Sequence, residues 1–256
     1  MITIKKPEDI LKLREGGRRL AEVLAALRKA SVIGARVAEL DALAEKMVRD
    51  MGDKPAFLNY KPQGAARAFP ASLCVSINDE IVHGIPNESD RVLKEGDIVS
   101  LDMGLIHDGL IVDSAISVGV GEIDAKAKKL LAATEEALYA GIKAARGGAR
   151  VGDIGVAVEA VADRNHFYIA DELAGHGVGY KVHEDPFVPN FGMPGQGPLL
   201  KPGMVIAIEP MLNEGGSEIR HGDDDWTILT ADGSRSAHFE HTVLITDGAA
   251  DILTKL

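Results

Sequence analysis

The chain has a single cysteine, Cys74, in 256 residues. One thiol cannot close an intramolecular disulfide, so the fold must rest on its own core, and the scarcity fits a reducing compartment. No window approaches the roughly 18 consecutive apolar residues of a membrane span, and the first residues, Met1-Ile-Thr-Ile-Lys-Lys-Pro7, lack the apolar run of a secretion signal. Basic side chains are also scarce: 28 Lys and Arg face 39 Asp and Glu, and the net charge of −11 argues against phosphate-backbone binding as the main task. Low-complexity segments and long linkers are missing as well. The expectation is a soluble cytoplasmic protein, with no membrane and no nucleic acid as primary ligand. With 46% hydrophobic residues it can bury a sizeable core, as one large domain or two small ones.

What is present is organised around Leu200 to Pro210, Leu-Lys-Pro-Gly-Met-Val-Ile-Ala-Ile-Glu-Pro. An apolar run of strand length ends in Glu209, and Pro210 stops the strand from continuing with its ladder intact. Leu93 to Asp102, Leu-Lys-Glu-Gly-Asp-Ile-Val-Ser-Leu-Asp, repeats the pattern 107 positions earlier. A second echo lies in the helices. Ile10, Leu13, Leu20, Leu24 and Leu27 mark a helix over 8–30, followed by a turn at 33–37 and a second helix carrying Val37, Leu40, Ala44 and Met47. Gly148-Ala149-Arg150-Val151-Gly152-Asp153-Ile154 repeats Gly34-Ala35-Arg36-Val37-Ala38-Glu39-Leu40 at an offset of 114, again after a long helical stretch, about 125–145. Two strand-to-acid units and two helix-turn-helix units, in the same order, make an internal duplication the economical reading.

The remaining elements are shorter. Residues 53–72 read as a loop, and 175–190, rich in Gly, His and Pro, as a functional loop. Residues 98–105 and 110–115 form a hairpin turned at His107-Asp108-Gly109, which sets Asp102 opposite Asp113 on one face. A last strand, 238–245, carries Glu240 near its start.

Each acid and imidazole has an ordinary reading when taken singly. Asp102 and Asp113 could be surface acids of a solvated hairpin, though Leu101, Met103, Ile111 and Val112 make that a poor wet face. Glu209 could be a buried structural acid, Glu240 an exposed strand residue, and His83, His176 and His183 polar loop residues. Together, four carboxylates and one imidazole outside the helices make an oxygen-rich set suited to two divalent ions of the Mn, Fe, Co or Zn kind.

Ser76-x-Asn78-x-x-x-x-His83-Gly84-Ile85-Pro86, Asp102 with Asp113 eleven residues on, Gly175-His176-Gly177-Val178-Gly179 with His183 seven after His176, Ile208-Glu209-Pro210 and Glu240-His241-Thr242 closely resemble the methionine aminopeptidases. The motifs run in that family's order from the first helix to the last strand. The short gap from His183 to Glu209 resembles the type 1 enzymes, without a zinc-binding N-terminal extension. The resemblance implies an α+β "pita-bread" (creatinase/aminopeptidase) fold: one catalytic domain over 1–256, with pseudo-twofold duplicated halves, about 8–120 and 122–250, around a central antiparallel sheet. It implies a metallo-exopeptidase that removes the initiator methionine from nascent polypeptides whose second residue is small. Asp102, Asp113, His176, Glu209 and Glu240 match the ligands of two divalent ions of the Co, Mn, Fe, Zn or Ni class, with Asp113 and Glu240 bridging and a bridging water as nucleophile. Glu209 matches the proton shuttle, His183 the residue that stabilises the oxyanion, and His83 the one that contacts the scissile amide.

Phe69, Cys74 and Trp226 match the methionine pocket, Trp226 lying fourteen residues before Glu240. Extra residues at Lys61 to Arg67 depart from the family, which leaves Phe57 and Tyr60 unassigned, and Val182 stands where many relatives place a larger aromatic. The resemblance further implies a monomer that meets nascent N-termini and touches the ribosome transiently. The alternatives are a prolidase or aminopeptidase P, and a non-catalytic binding module of the same fold.

Overall fold

A computed structural model describes residues 2–256. Helix α1 (Pro7–Ala30) starts with Pro7 in its first turn, where no backbone donor is required, and buries Leu13, Leu20, Leu24 and Leu27. Its two glycines are explained by what they touch: a Cβ on Gly17 would lie 2.2 Å from the Leu253 carbonyl oxygen, and one on Gly16 3.1 Å from the His107 side chain. α1 therefore lies unusually close to the C-terminal segment and to the hairpin. Helix α2 (Val37–Asp50) packs beside it. In the second half α3 (Ala125–Ala144), N-capped by the Asp124 carboxylate accepting from the Ala127 N–H, packs against α4 (Val151–Asn165).

The helix pairs flank an antiparallel sheet whose strands run, in spatial order, Lys54–Pro55, Ile98–His107, Leu110–Gly119, Glu240–Leu244, Val205–Ile208, Ala174–Gly177 and Glu184–Pro189. Cys74–Ile77 also pairs with Ile98–His107, and Asp251–Ile252 with Glu240–Leu244. One core cluster joins α1 and α2 to the hairpin, and another joins α3 and α4 to the strands before Glu209 and after Glu240. Ile116 packs against both and stitches the halves together. Among the described residues no helix is long and apolar enough to cross a membrane.

Two local expectations are corrected. The hairpin strands pair out to His107 and Leu110, which leaves only Asp108 and Gly109, both at positive φ (+47° and +81°), as the loop. That two-residue turn shifts the register by two: Asp102 pairs with Ala115 and Asp113 with Gly104. The carboxylates still share a face, as diagonal neighbours rather than as an opposed pair. Residues 175–190 hold two paired strands, not a loop. Gly175 and Gly177 there serve close packing, since added Cβ atoms would meet the backbone oxygens of Ala207 and Asp185 at 2.3 and 2.2 Å.

Candidate metal centre

The register of five adjacent strands builds the site. Asp102 and Glu240 both pair with Ala115, whose methyl leaves room between them. Glu209 follows immediately on Ile208, the residue paired with His241, so it lies next to Glu240 in the same row. His176 comes from the following strand, where Gly177 pairs with Ile206. Asp113 is pinned by Thr242, whose hydroxyl accepts from the Asp113 N–H (2.9 Å) and donates to its carbonyl (2.7 Å). All five side chains line one cavity of about 180 Å³, and ligand atoms of Asp113, His176 and Glu240 lie within 4.8 Å of one another.

The electrostatics of this cavity ask for cations. Four carboxylates line it, and no Lys or Arg does among the described residues. Asp102 Oδ1, Asp113 Oδ1 and Glu240 Oε1 are buried without a hydrogen-bond partner among those residues, a state that costs several kcal/mol for an ionised group. Burial, and after it mutual repulsion, pushes the Asp102, Glu209 and Glu240 carboxyls well above the usual range. Burial lifts Asp113 to about 7. His176 shows the same need. Its Nδ1 lies 2.9 Å from the Gly177 carbonyl, so that nitrogen carries the hydrogen and donates it. The Nε2 lone pair then faces Glu209 Oε1 at 3.3 Å, and two acceptors at that distance require a proton or a cation between them. Burial holds His176 down to about 3, so the imidazole is neutral, as a ligand must be. The residues present therefore fit divalent cations.

The other predicted residues surround this cluster. His83 sits at φ +60°, a left-handed conformation costing on the order of 1–3 kcal/mol, and the Thr227 hydroxyl donates to its carbonyl at 3.4 Å. Burial, and then the neighbouring His183, brings its imidazole down to about 4. The His183 ring lies 4.4 Å from that of His176, and its Nδ1 is 2.9 Å from the Tyr60 hydroxyl. Phe69, Cys74 and Trp226 line the cavity with Val182, the Phe69 and Trp226 rings meeting edge to face at 5.2 Å. Cys74 also lies opposite Asp102 in register, with its thiol against that carboxylate. Phe57 and Tyr60, unassigned in the sequence, line the same cavity, and so does Pro62 from the segment of extra residues.

One histidine of the cavity was not among the expected site residues. His238 lines the site, is 1% exposed, and has neither ring nitrogen hydrogen-bonded among the described residues. The available signal was its position two residues before Glu240, which in an extended chain puts both side chains on one face.

This arrangement has clear relatives. Residues 11–247 match Metallopeptidase family M24. "Methionine aminopeptidase 1" of Bacillus subtilis is 44% identical over 256 residues, covering 100% of both chains. The solved methionine aminopeptidase of Thermotoga maritima superposes with a TM-score of 0.94 at 42% identity, again over 100% of both chains. The prolidase of Pyrococcus furiosus, 23% identical, shares the fold with a TM-score of 0.78, over 99% of this chain and 65% of that one. These neighbours carry the pita-bread fold expected from the motifs, and metallopeptidases as a class work through metal ions of the kind the cavity fits. By the match across nearly its whole length, this chain belongs to metallopeptidase family M24, in the methionine aminopeptidase branch.

Proposed function

We propose that this chain removes the N-terminal methionine from polypeptides whose second residue is small, using two divalent ions held by Asp102, Asp113, His176, Glu209 and Glu240. The observation that carries the reading is the unpaired charge: two divalent ions supply the four positive charges that four buried carboxylates lack. Mn, Fe, Co, Zn and Ni all suit an oxygen-rich set with one imidazole. Bound there, such ions polarise the peptide carbonyl and lower the pKa of water to near neutrality.

The chain's own groups supply the rest. Glu209 takes the proton from the attacking water and returns it to the departing amide nitrogen. In the 2.9 Å contact between the Tyr60 hydroxyl and His183 Nδ1 we assign the donor role to the tyrosine, which places the ring's hydrogen on Nε2, the tautomer that can donate to a developing oxyanion. His83, kept neutral by burial, hydrogen-bonds the scissile amide. Phe69, Cys74, Val182 and Trp226 offer an apolar wall for one unbranched side chain. A cavity of about 180 Å³ is smaller than typical ligand pockets, which suits one residue rather than a continuing chain.

We infer further that the halves 8–120 and 122–250 are repeats within one domain, and that the chain acts as a cytoplasmic monomer on nascent N-termini with transient ribosome contact. A prolidase activity is less well supported, because that neighbour shares the fold at 23% identity and is a longer chain. A binding module is disfavoured by five ligand positions that all hold ligating side chains. The test is Glu240→Gln, which keeps the shape but cannot serve as an anionic bridge: turnover should vanish while the circular dichroism spectrum is retained. Substantial remaining activity removes Glu240 from the ligand set.

A further inference from the structure

We propose that His238 positions Glu209, its Nε2–H directed at Glu209 Oε2 so that Oε1 is left to the metal. The proposal rests on the reading of Glu209 as both ligand and proton carrier.

His238 ends the strand Ser236–His238 and pairs with Met211, two residues after Glu209. Its backbone is held on both sides by Ser117, whose hydroxyl accepts from the His238 N–H (2.9 Å) and donates to the His238 carbonyl (2.8 Å). The backbone from which the ring projects is thereby fixed, and the ring itself is buried in the cavity. A neutral imidazole carries one N–H, and buried away from water that hydrogen needs an acceptor. Nδ1 has none among the described residues, whereas Nε2 faces Glu209 Oε2 at 3.6 Å. A movement of roughly 0.5 Å brings the pair into hydrogen-bond range.

The consequence is a division of labour around one carboxylate. His176 presents a lone pair beside Oε1, because its hydrogen is committed to Gly177, and His238 presents a hydrogen beside Oε2. The two imidazoles thus distinguish the oxygens, and the carboxylate cannot rotate without losing one partner and meeting a repulsive one. A histidine placed only to fill the core has no reason to stand with both nitrogens unpaired in the cavity of the reacting groups. Such support of a ligand by a hydrogen bond typically governs both affinity and rate.

The experiment uses the full chain, with Mn²⁺ titration by calorimetry beside Met-Ala-Ser hydrolysis, in wild type, His238→Leu and His238→Gln. Leucine keeps bulk without a donor, and glutamine restores an amide N–H of similar reach. His238→Leu should lose about tenfold or more in kcat with KM little changed, and should bind the weaker Mn²⁺ about tenfold less tightly; His238→Gln should recover most of both. Unchanged kcat and Mn²⁺ affinity in His238→Leu, or a His238→Gln as impaired as the leucine variant, overturns the proposal. If His238→Leu does not fold, His238→Asn, polar but too short to reach Glu209, takes its place. Failure of the wild type to hydrolyse the peptide would instead strike the parent reading, and the Mn²⁺ affinities would still decide the contact.

Discussion

In metal-stripped protein the contribution of Asp113 to stability should fall as pH rises, and its size can be worked out. The Asp113 carboxyl stands at about 7 in the folded chain against 3.8 for an unperturbed aspartate, because burial disfavours the charge. A carboxyl whose folded value is raised favours the folded state in its protonated form. Its stabilisation is complete below the unfolded value and is lost as pH climbs from about 4 to about 7. Roughly three pH units at 1.36 kcal/mol each give a loss on the order of 4 kcal/mol. For a chain of this size that corresponds to a fall in Tm of about 10 °C. The assay is thermal unfolding of chelator-stripped protein from pH 4 to pH 8, wild type beside Asp113→Asn, each with and without Mn²⁺. The variant, which has nothing to ionise at that position, should decline less steeply than the wild type by about 1.36 kcal/mol per pH unit below pH 7, the remaining decline coming from Asp102, Glu209 and Glu240. Added Mn²⁺ should stabilise the wild type more at pH 8 than at pH 5, because the ligands must be deprotonated. Equal slopes for the stripped wild type and Asp113→Asn would refute the reasoning.

Two further outcomes follow from the geometry. Tyr60→Phe removes the hydrogen bond to His183 Nδ1 while keeping the ring on the cavity wall, so kcat should drop by about 2- to 10-fold with KM for a methionyl peptide nearly unchanged; a pure KM effect would make Tyr60 a pocket residue only. Gly17→Ala forces a methyl to 2.2 Å from the Leu253 carbonyl and should cost about 1–3 kcal/mol, read as a lower Tm, with activity at 25 °C preserved; an unchanged Tm would mean that α1 moves freely over the C-terminal segment.

The strand-to-acid pattern was legible because it is local. A branched apolar run followed by a carboxylate and a proline identifies the end of a buried strand in a few residues, and Glu209 stands just past the end of Val205–Ile208 as that pattern requires, whereas Asp102, with no proline after it, lies in the middle of Ile98–His107. The helices were equally plain from period alone, α1 and α3 agreeing with expectation to within a residue or two. Register was not legible to that accuracy. Whether the hairpin turns over two residues or four depends on the φ angles of Asp108 and Gly109, and one choice or the other moves Asp102 from opposite Asp113 to opposite Ala115. The strand bearing His176 was hidden by its own glycines, which read as turn formers when considered by composition, yet here admit the backbones of neighbouring strands. Contacts made across the fold left no local trace. Tyr60 meets His183 over a separation of 123 residues, and His238 faces Glu209 only because the chain after Asn213 returns to pair with Met211.

The most direct test of the account is hydrolysis of Met-Ala-Ser beside Leu-Ala-Ser by chelator-stripped protein, with Mn²⁺, Fe²⁺, Co²⁺ or Zn²⁺ added back. Release of methionine only when metal is restored, with little release of leucine, is the predicted result. Methionine release undiminished by stripping, or metal binding with no cleavage of either peptide, would contradict it.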